Sequence, residues 1–294
     1  KFVNMSKKVP LRSIAVVVFM TILTVVSYLV VSLLYPWRGI VPFDPLQCAM
    51  DGTTQYPKIV HRIWDRKIIP EKYTNYLQSC EVLNPDYKVI IWNETTIEQF
   101  LKKNYLSGYR LYLQYPKKVN RYDAARYFII YHYGGIYLDM DMNCTKDFDH
   151  IIQSARKNNV ILGEAFPFGV VSNFMIAHPK TQFFGQVIQN LANTKDETFV
   201  VSLYETFVKT GPMFLWKNYF NFPCKDQIHV LSKFKIRGKW LSHDGAGTWQ
   251  NSSGVYFMFI SNSWAAVYYF INYILFIIFF IIVCITFYKI RFKS

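Results

Sequence analysis

Internal repeats, low-complexity tracts and metal-knuckle cysteine spacings are all missing from this chain. The first two absences exclude a repeat array, and the third excludes a zinc knuckle, because five cysteines in 294 residues fall in no paired pattern. Acidic residues are scarce: 19 Asp and Glu stand against 33 Lys and Arg, a formal net charge of +14. A basic excess suits nucleic acid, but no helix-turn-helix, finger or ribonucleoprotein pattern accompanies it. Seven of the basic residues flank two apolar runs, and the remainder is scattered. The chain therefore reads as no nucleic-acid binder.

Charge is absent altogether from residues 13–35 and 264–288. Each run is long enough to cross a hydrocarbon core of ~30 Å as a helix. Lys1, Lys7, Lys8 and Arg12 precede the first; Lys289, Arg291 and Lys293 follow the second. Positive flanks stay cytosolic, which predicts a two-pass protein with both termini cytosolic and the middle of the chain lumenal. The first run is long for a signal-peptide core and lacks a small-x-small cleavage site, so it reads as a retained anchor. Lumenal placement permits one or two disulfides among Cys48, Cys80, Cys144 and Cys224, with the pairing open. Asn93 and Asn251 begin glycosylation sequons; Asn143 begins a third, beside an acidic pair and expected to stay unmodified.

The order of segments follows: cytosolic tail 1–12, membrane helix 13–35, Pro- and Gly-rich stem 36–57, a lumenal domain 58–254, membrane helix 264–288 and cytosolic tail 289–294. Within the domain, residues 58–64 read as a buried strand, and Pro70 opens a helix to about Leu83. A turn at Asn84-Pro85-Asp86 leads to a second strand over 87–92. Thr95 or Thr96 is placed to cap a helix reaching about Asn104. Strand–helix–strand–helix at this spacing predicts a doubly wound α/β sheet with these two strands central and parallel. Further strands are expected over 160–163, 173–178 and 227–231, and helices over 119–133, 181–191 and 199–209. Gly211-Pro212 breaks the chain before an aromatic segment, 213–220; the aromatics of 216–222 read as core in preference to a membrane-interface patch.

The chemistry concentrates at Gly134-Gly135-Ile136-Tyr137-Leu138-Asp139-Met140-Asp141. In an extended chain Asp139 and Asp141 point the same way, and two adjacent carboxylates repel unless a cation sits between them. Their hard oxygens suit Mg²⁺ or Mn²⁺ shared with a substrate phosphate. Alone, such a pair equally fits a polar turn. Asp123 and Arg126 share a helix face three residues apart, either as a solvated ion pair or as a polar end reaching the same cleft; position before the Gly pair favours the cleft. His243 is a candidate third metal ligand. Thr248 and the Trp249 N–H are candidate donors to a departing diphosphate. Trp64, at a strand end, fits core packing and base stacking equally.

Residues 59–64, Asn84-Pro85-Asp86-Tyr87 with Trp92, Arg121-x-Asp123-Ala124-Ala125-Arg126-Tyr127, and Gly134-Gly135-x-Tyr137-x-Asp139-x-Asp141 stand in the order and spacing of glycosyltransferase family 32. Asn173 with Met175, Thr210-Gly211-Pro212 and the loop 243–249 continue the resemblance, which covers about residues 57–250. It implies a GT-A fold, a Rossmann-like α/β domain with a mixed, mostly parallel sheet. It also implies metal-dependent transfer of a sugar from a nucleotide diphosphate with retention. The two terminal spans, Phe168-Gly169-Val170-Val171-Ser172-Asn173 and residues 210–215 resemble the group that includes catalytic subunits of mannosyl inositol phosphorylceramide synthase. That implies a Golgi enzyme using GDP-mannose and an inositol phosphorylceramide-like lipid acceptor, with a regulatory membrane subunit as partner. The same resemblance gives Asp141 the metal, Asp139 the ribose and the metal, Asp123 and Arg126 the donor sugar, and Trp64 the base; Asn173 and Gly211 also join the donor site. The alternatives are a hexosyltransferase acting on protein-linked glycans and a non-catalytic regulatory membrane subunit.

Overall fold

The computed structural model describes Cys48 and residues 55–155, 158–165, 169–194, 202–232 and 240–243. The two expected membrane spans, the cytosolic tails and the loop 244–250 lie outside the described residues. Among the described residues, no helix is long and apolar enough to cross a membrane.

The domain is a mixed α/β structure around a six-stranded sheet. Its strands are β1 (Ile59–Ile63), β2 (Lys88–Trp92), β3 (Gly135–Leu138), β5 (Val160–Glu164), β6 (Val170–Ala177) and β7 (Ile228–Leu231), in the order β2-β1-β3-β6-β5-β7. Five strands run one way, and β6 alone runs against its neighbours β3 and β5. The expected parallel β1–β2 pair forms, but β2 lies at the sheet edge and is not central. Its burial pattern explains the place: Lys88 and Ile91 are exposed while Trp92 is buried, which suits a strand with one neighbour. A second, two-stranded sheet pairs β4 (Met142–Cys144) with β8 (Leu241–His243), neither expected from sequence.

Side chains alternate across the main sheet and divide two cores. Tyr137, Leu162 and Met175 face a core shared with Ile97, Phe128 and Phe184. Ile136, Leu138, Ile161, Phe174 and Ile176 face another, shared with Phe148 and Ile151. On β1 the alternation places Val60 in the second core and carries His61 toward Trp92 and Tyr133 on the other face. Trp92 Nε1–H donates to His61 Nδ1, and His61 Nε2 meets the Gly134 carbonyl at 3.1 Å. Burial pulls the imidazole down to about 4, so His61 is a neutral core residue.

Helix α1 (Glu71–Leu83) starts directly after Pro70 and stops at Asn84, before Pro85. In α2 (Glu94–Asn104) the cap is Asn93, in place of Thr95 or Thr96: its side chain accepts from Thr96 N while Thr96 Oγ1 accepts from Asn93 N. Helix α3 (Leu106–Gln114) has no counterpart in the sequence reading. Helix α4 (Lys118–Tyr133) is buried without a break from Asp123 to Ile130, so it is wrapped on all sides. Gly134, at φ 65°, ends it and turns the chain into β3.

Helix α5 (Phe148–Gln153) is also new, and α6 (Gln182–Thr194) and α7 (Ser202–Lys209) follow expectation. Gly211-Pro212 starts a helix where a break was expected: α8 (Pro212–Asn221) has Gly211 at its cap and Pro212 at its first position. Of the aromatics of 216–222, Phe222 is buried, Trp216 and Tyr219 are partly buried against the core, and Phe220 is exposed, so the core reading holds for part of the segment. Two disulfides pair Cys48 with Cys224 and Cys80 with Cys144. The second ties α1 to β4, immediately after the acidic pair.

Candidate active site

Strand β3 ends at Leu138, and the chain then turns. Met142 N–H donates to the Asp139 carbonyl at 3.1 Å, so Asp139 to Met142 is a four-residue turn between β3 and β4. This corrects the extended reading of Asp139 and Asp141. The reason lies between them: Met140 is buried with Tyr73 and Leu77, with Trp64 and Ile69 packed against them. Burying an apolar side chain of this size is worth about 2 kcal/mol, enough to hold the turn's middle down while both carboxylates reach partly exposed positions.

The two carboxylates meet different partners. Asp139 Oδ1 accepts from the Tyr137 hydroxyl at 2.9 Å and lies 3.3 Å from Arg126 Nη1. The Asp139 amide donates to the Asn173 carbonyl at 3.0 Å, which moors the turn to β6. Asp141 Oδ2 instead faces His243 Nε2 at 3.2 Å. The pairing of β4 with β8 sets that distance, since Met142 and His243 are register partners. Asn173 Nδ2 lies 3.3 Å from the same imidazole nitrogen.

Beneath Asp139, Arg126 forms an ion pair with Asp123 and donates from Nη1 to the Ser172 carbonyl at 3.0 Å. Both side chains are buried, which rules out the solvated-face reading; the pair reaches the cleft through Asp139. Burial, assisted by the Asp139 charge and only partly opposed by Arg126, pushes the Asp123 carboxyl up to about 6. Burial opposes the charged guanidinium of Arg126, yet the Asp123 and Asp139 charges outweigh it and hold the group protonated. Burial likewise keeps Tyr137 protonated, as a donor to Asp139.

Gly211 does not touch the acidic pair in its own right. It caps α8 beside Thr210, whose hydroxyl donates to Asp123 Oδ2 at 3.3 Å and accepts from Asn120 Nδ2 at 2.9 Å. Tyr127 donates to the Thr210 carbonyl at 2.7 Å. Thr210 thus joins α4 to the start of α8, a role that sequence reasoning missed, as it missed Tyr137 and Ser172. Trp64 is half-buried, stacks edge-on against Tyr73 and donates its indole N–H to the Ile68 carbonyl at 3.1 Å. It also lines a cavity of about 450 Å³ with Asp65, Arg66, Lys67, Asn93 and Glu94, at the ends of β1 and β2. Thr248 and Trp249 lie outside the described residues.

Carboxylate oxygen and imidazole nitrogen are donors that Mn²⁺ accepts. Asp141 and His243 fit such an ion, because their facing atoms already stand together and both side chains remain partly accessible. Among the described residues, no three His, Cys, Asp or Glu side chains converge into a complete cage. A cation that completes its shell from phosphate oxygens and water needs none.

Residues 70–157 match the model of a glycosyltransferase sugar-binding region containing a DXD motif. Inositol phosphoceramide mannosyltransferase 1 of Schizosaccharomyces pombe is 30% identical over 227 residues, 73% of this chain and 68% of that protein. Mannosyl phosphorylinositol ceramide synthase CSH1 of Saccharomyces cerevisiae is 36% identical over 170 residues, 55% of this chain and 43% of that protein. The initiation-specific alpha-1,6-mannosyltransferase of Candida albicans is 27% identical over 139 residues, 41% of this chain and 35% of that protein. The span and identity of these matches, with Asp139, Asp141 and the Gly134–Gly135 turn intact, establish that this chain belongs to the family of glycosyltransferases whose sugar-binding region contains a DXD motif.

Proposed function

We propose that this enzyme transfers mannose from GDP-mannose to an inositol phosphorylceramide-type sphingolipid, with retention, through a lumenal GT-A domain anchored in the Golgi membrane by spans 13–35 and 264–288. The observation that carries the reading is the meeting of Asp141, His243 and Asn173 beside the Asp139–Arg126–Asp123 chain, in a protein similar over 73% of its length to an inositol phosphoceramide mannosyltransferase. Asp141 and His243 hold the divalent cation, Mn²⁺ or Mg²⁺, and Asp139 adds to its field and contacts the ribose. When bound, the cation offsets the negative charge that develops on the departing diphosphate.

The protein's own groups do the rest. Arg126 and Asp123 orient the hydroxyls of the donor sugar. Trp64 offers its ring to the base at the mouth of the cavity between β1 and β2. Asn173 and the Gly211 turn close the sugar side, and Thr248 and Trp249 donate to the leaving phosphate. Among the described residues no carboxylate stands as an obvious nucleophile, so the acceptor hydroxyl attacks on the face that the diphosphate leaves and passes its proton to the departing phosphate oxygen; a trapped covalent sugar–enzyme adduct contradicts this. Two anchors hold the cleft near a membrane-borne acceptor, which raises its effective concentration. A regulatory membrane subunit is expected alongside.

A second reading, transfer to protein-linked glycans, draws on the similarity to the Candida albicans alpha-1,6-mannosyltransferase. A competition experiment separates the two. The full chain in detergent with Mn²⁺ receives labelled GDP-mannose and equimolar inositol phosphorylceramide and N-glycan acceptor. Label in the lipid phase is the expected outcome. Label confined to the glycan overturns the lipid assignment; label in neither acceptor, with turnover once UDP-sugars replace GDP-mannose, overturns the donor.

A further inference from the structure

Strand β1 carries a cation where a buried strand ordinarily carries an apolar side chain. Arg62 is 0% exposed. Such burial of a guanidinium is rare without a dedicated set of acceptors. The acceptors here are not a carboxylate. Nη1 donates to the Asp139 carbonyl at 3.0 Å and to the Met142 carbonyl at 3.1 Å, and Nη2 reaches Cys80 Sγ at 2.9 Å. Asp139 and Met142 are the first and last residues of the turn that presents the acidic pair. One nitrogen therefore bridges both ends of that turn. The neighbouring nitrogen abuts the Cys80–Cys144 disulfide, which fixes the strand leaving the turn.

We infer that Arg62 is the positioning residue of the Asp-x-Asp turn, its guanidinium stapling the Asp139 and Met142 carbonyls so that Asp141 is delivered to His243. The inference rests on the reading of this turn as the donor clamp. Charge adds to geometry. Two neighbouring carboxylates on a short turn repel each other, and a buried cation beneath the backbone offsets that repulsion before any divalent ion arrives. Burial draws Arg62 down and the Asp139 and Asp141 charges oppose it, leaving the group at about 10 and the guanidinium protonated. Lysine is a poor substitute, because a single ammonium on a shorter reach lacks the planar fork that serves both the carbonyls and the sulfur.

The test compares the wild-type full chain in detergent with Arg62→Met, Arg62→Lys and a distant control, Tyr115→Phe. The control removes a buried hydrogen bond, from the Tyr115 hydroxyl to the Leu191 carbonyl, that has no link to the turn. Two readouts need no turnover: amide exchange of residues 139–142, and Mn²⁺ binding followed by paramagnetic resonance in the presence of GDP. Arg62→Met is expected to speed exchange at the Met142 amide and to weaken Mn²⁺ binding, each by at least about tenfold, the usual reach of residues that orient metal ligands. Arg62→Lys is expected to shift both by about threefold or more, and Tyr115→Phe to leave both within about twofold.

Unchanged exchange and Mn²⁺ binding in a folded Arg62→Met overturn the inference. So does a Tyr115→Phe protein that changes both as much, since that marks a general effect of stability. If Arg62→Met does not fold, Arg62→Lys decides, and unchanged values there overturn the staple. A wild-type enzyme that turns over no mannose donor counts against the proposed function, while the exchange and binding data still judge Arg62.

Discussion

The residue that most clearly sets the site's electrical character is Asp123. It is buried beside Arg126, Thr210 and, more distantly, Asp139. Burial pushes its carboxyl up to about 6 from an ordinary 3.8, so the folded protein takes up this proton at a pH where the unfolded chain is still ionised. Its contribution to stability is therefore fully present below about pH 4 and is lost as pH rises through about 6. Activity runs the opposite way. The ionised form anchors Arg126, and Arg126 anchors Asp139, so protonation slackens the chain that leads to the clamp. The rate is expected to fall on the acid side with a midpoint near pH 6. Asp123→Asn should lower the plateau by about tenfold or more and remove that acid limb. A variant that keeps the limb assigns it to another group.

Among the elements, β3 is entered through two glycines that both take a positive φ and both leave no room for a Cβ. Gly134 closes α4 at φ 65°, and Gly135 continues at φ 84° so close to β1 that a Cβ would stand 2.5 Å from the Ile59 carbonyl oxygen. Neither the dihedral nor the backbone oxygen can relax cheaply. Gly135→Ala is expected to cost about 2 kcal/mol or more, seen as a fall in Tm of at least about 4 °C. Gly185→Ala, in the body of α6, meets only the Tyr131 ring at 3.5 Å and should be neutral or stabilising by up to about 1 kcal/mol. Equal responses from the two variants contradict this account of the β3 entry.

The elements also show what the chain made readable. Periodic apolar segments fixed β1, β2, α1, α4 and α6 to within a few residues. Pro212 looked like a breaker, although proline favours a first helical position and here begins α8. The Asp-x-Asp turn was hidden for a physical reason. Met140 is an acceptable strand residue, and its burial against α1 depends on tertiary packing that no local pattern reports. At the site, Asp123, Arg126, Asp139, Asp141, Asn173 and His243 were legible because their types and order are distinctive. Arg62, Tyr137 and Thr210 were not singled out, since each works through backbone carbonyls or a neighbour's carboxylate. A charged residue inside the apolar strand 59–63 was the one available cue to Arg62.

At the scale of the molecule, the proposed function draws on two apolar runs with basic flanks and on similarity to an inositol phosphoceramide mannosyltransferase and a mannosyl phosphorylinositol ceramide synthase. The most direct measurement is the rate of GDP release from GDP-mannose by the full chain in detergent with Mn²⁺, with and without inositol phosphorylceramide, for the wild type and Asp141→Ala. Release is expected to rise with the lipid, to disappear on chelation of the metal and to drop by at least about 10³-fold in the variant. Release that is equally fast in Asp141→Ala, or indifferent to both metal and lipid, contradicts the proposed function.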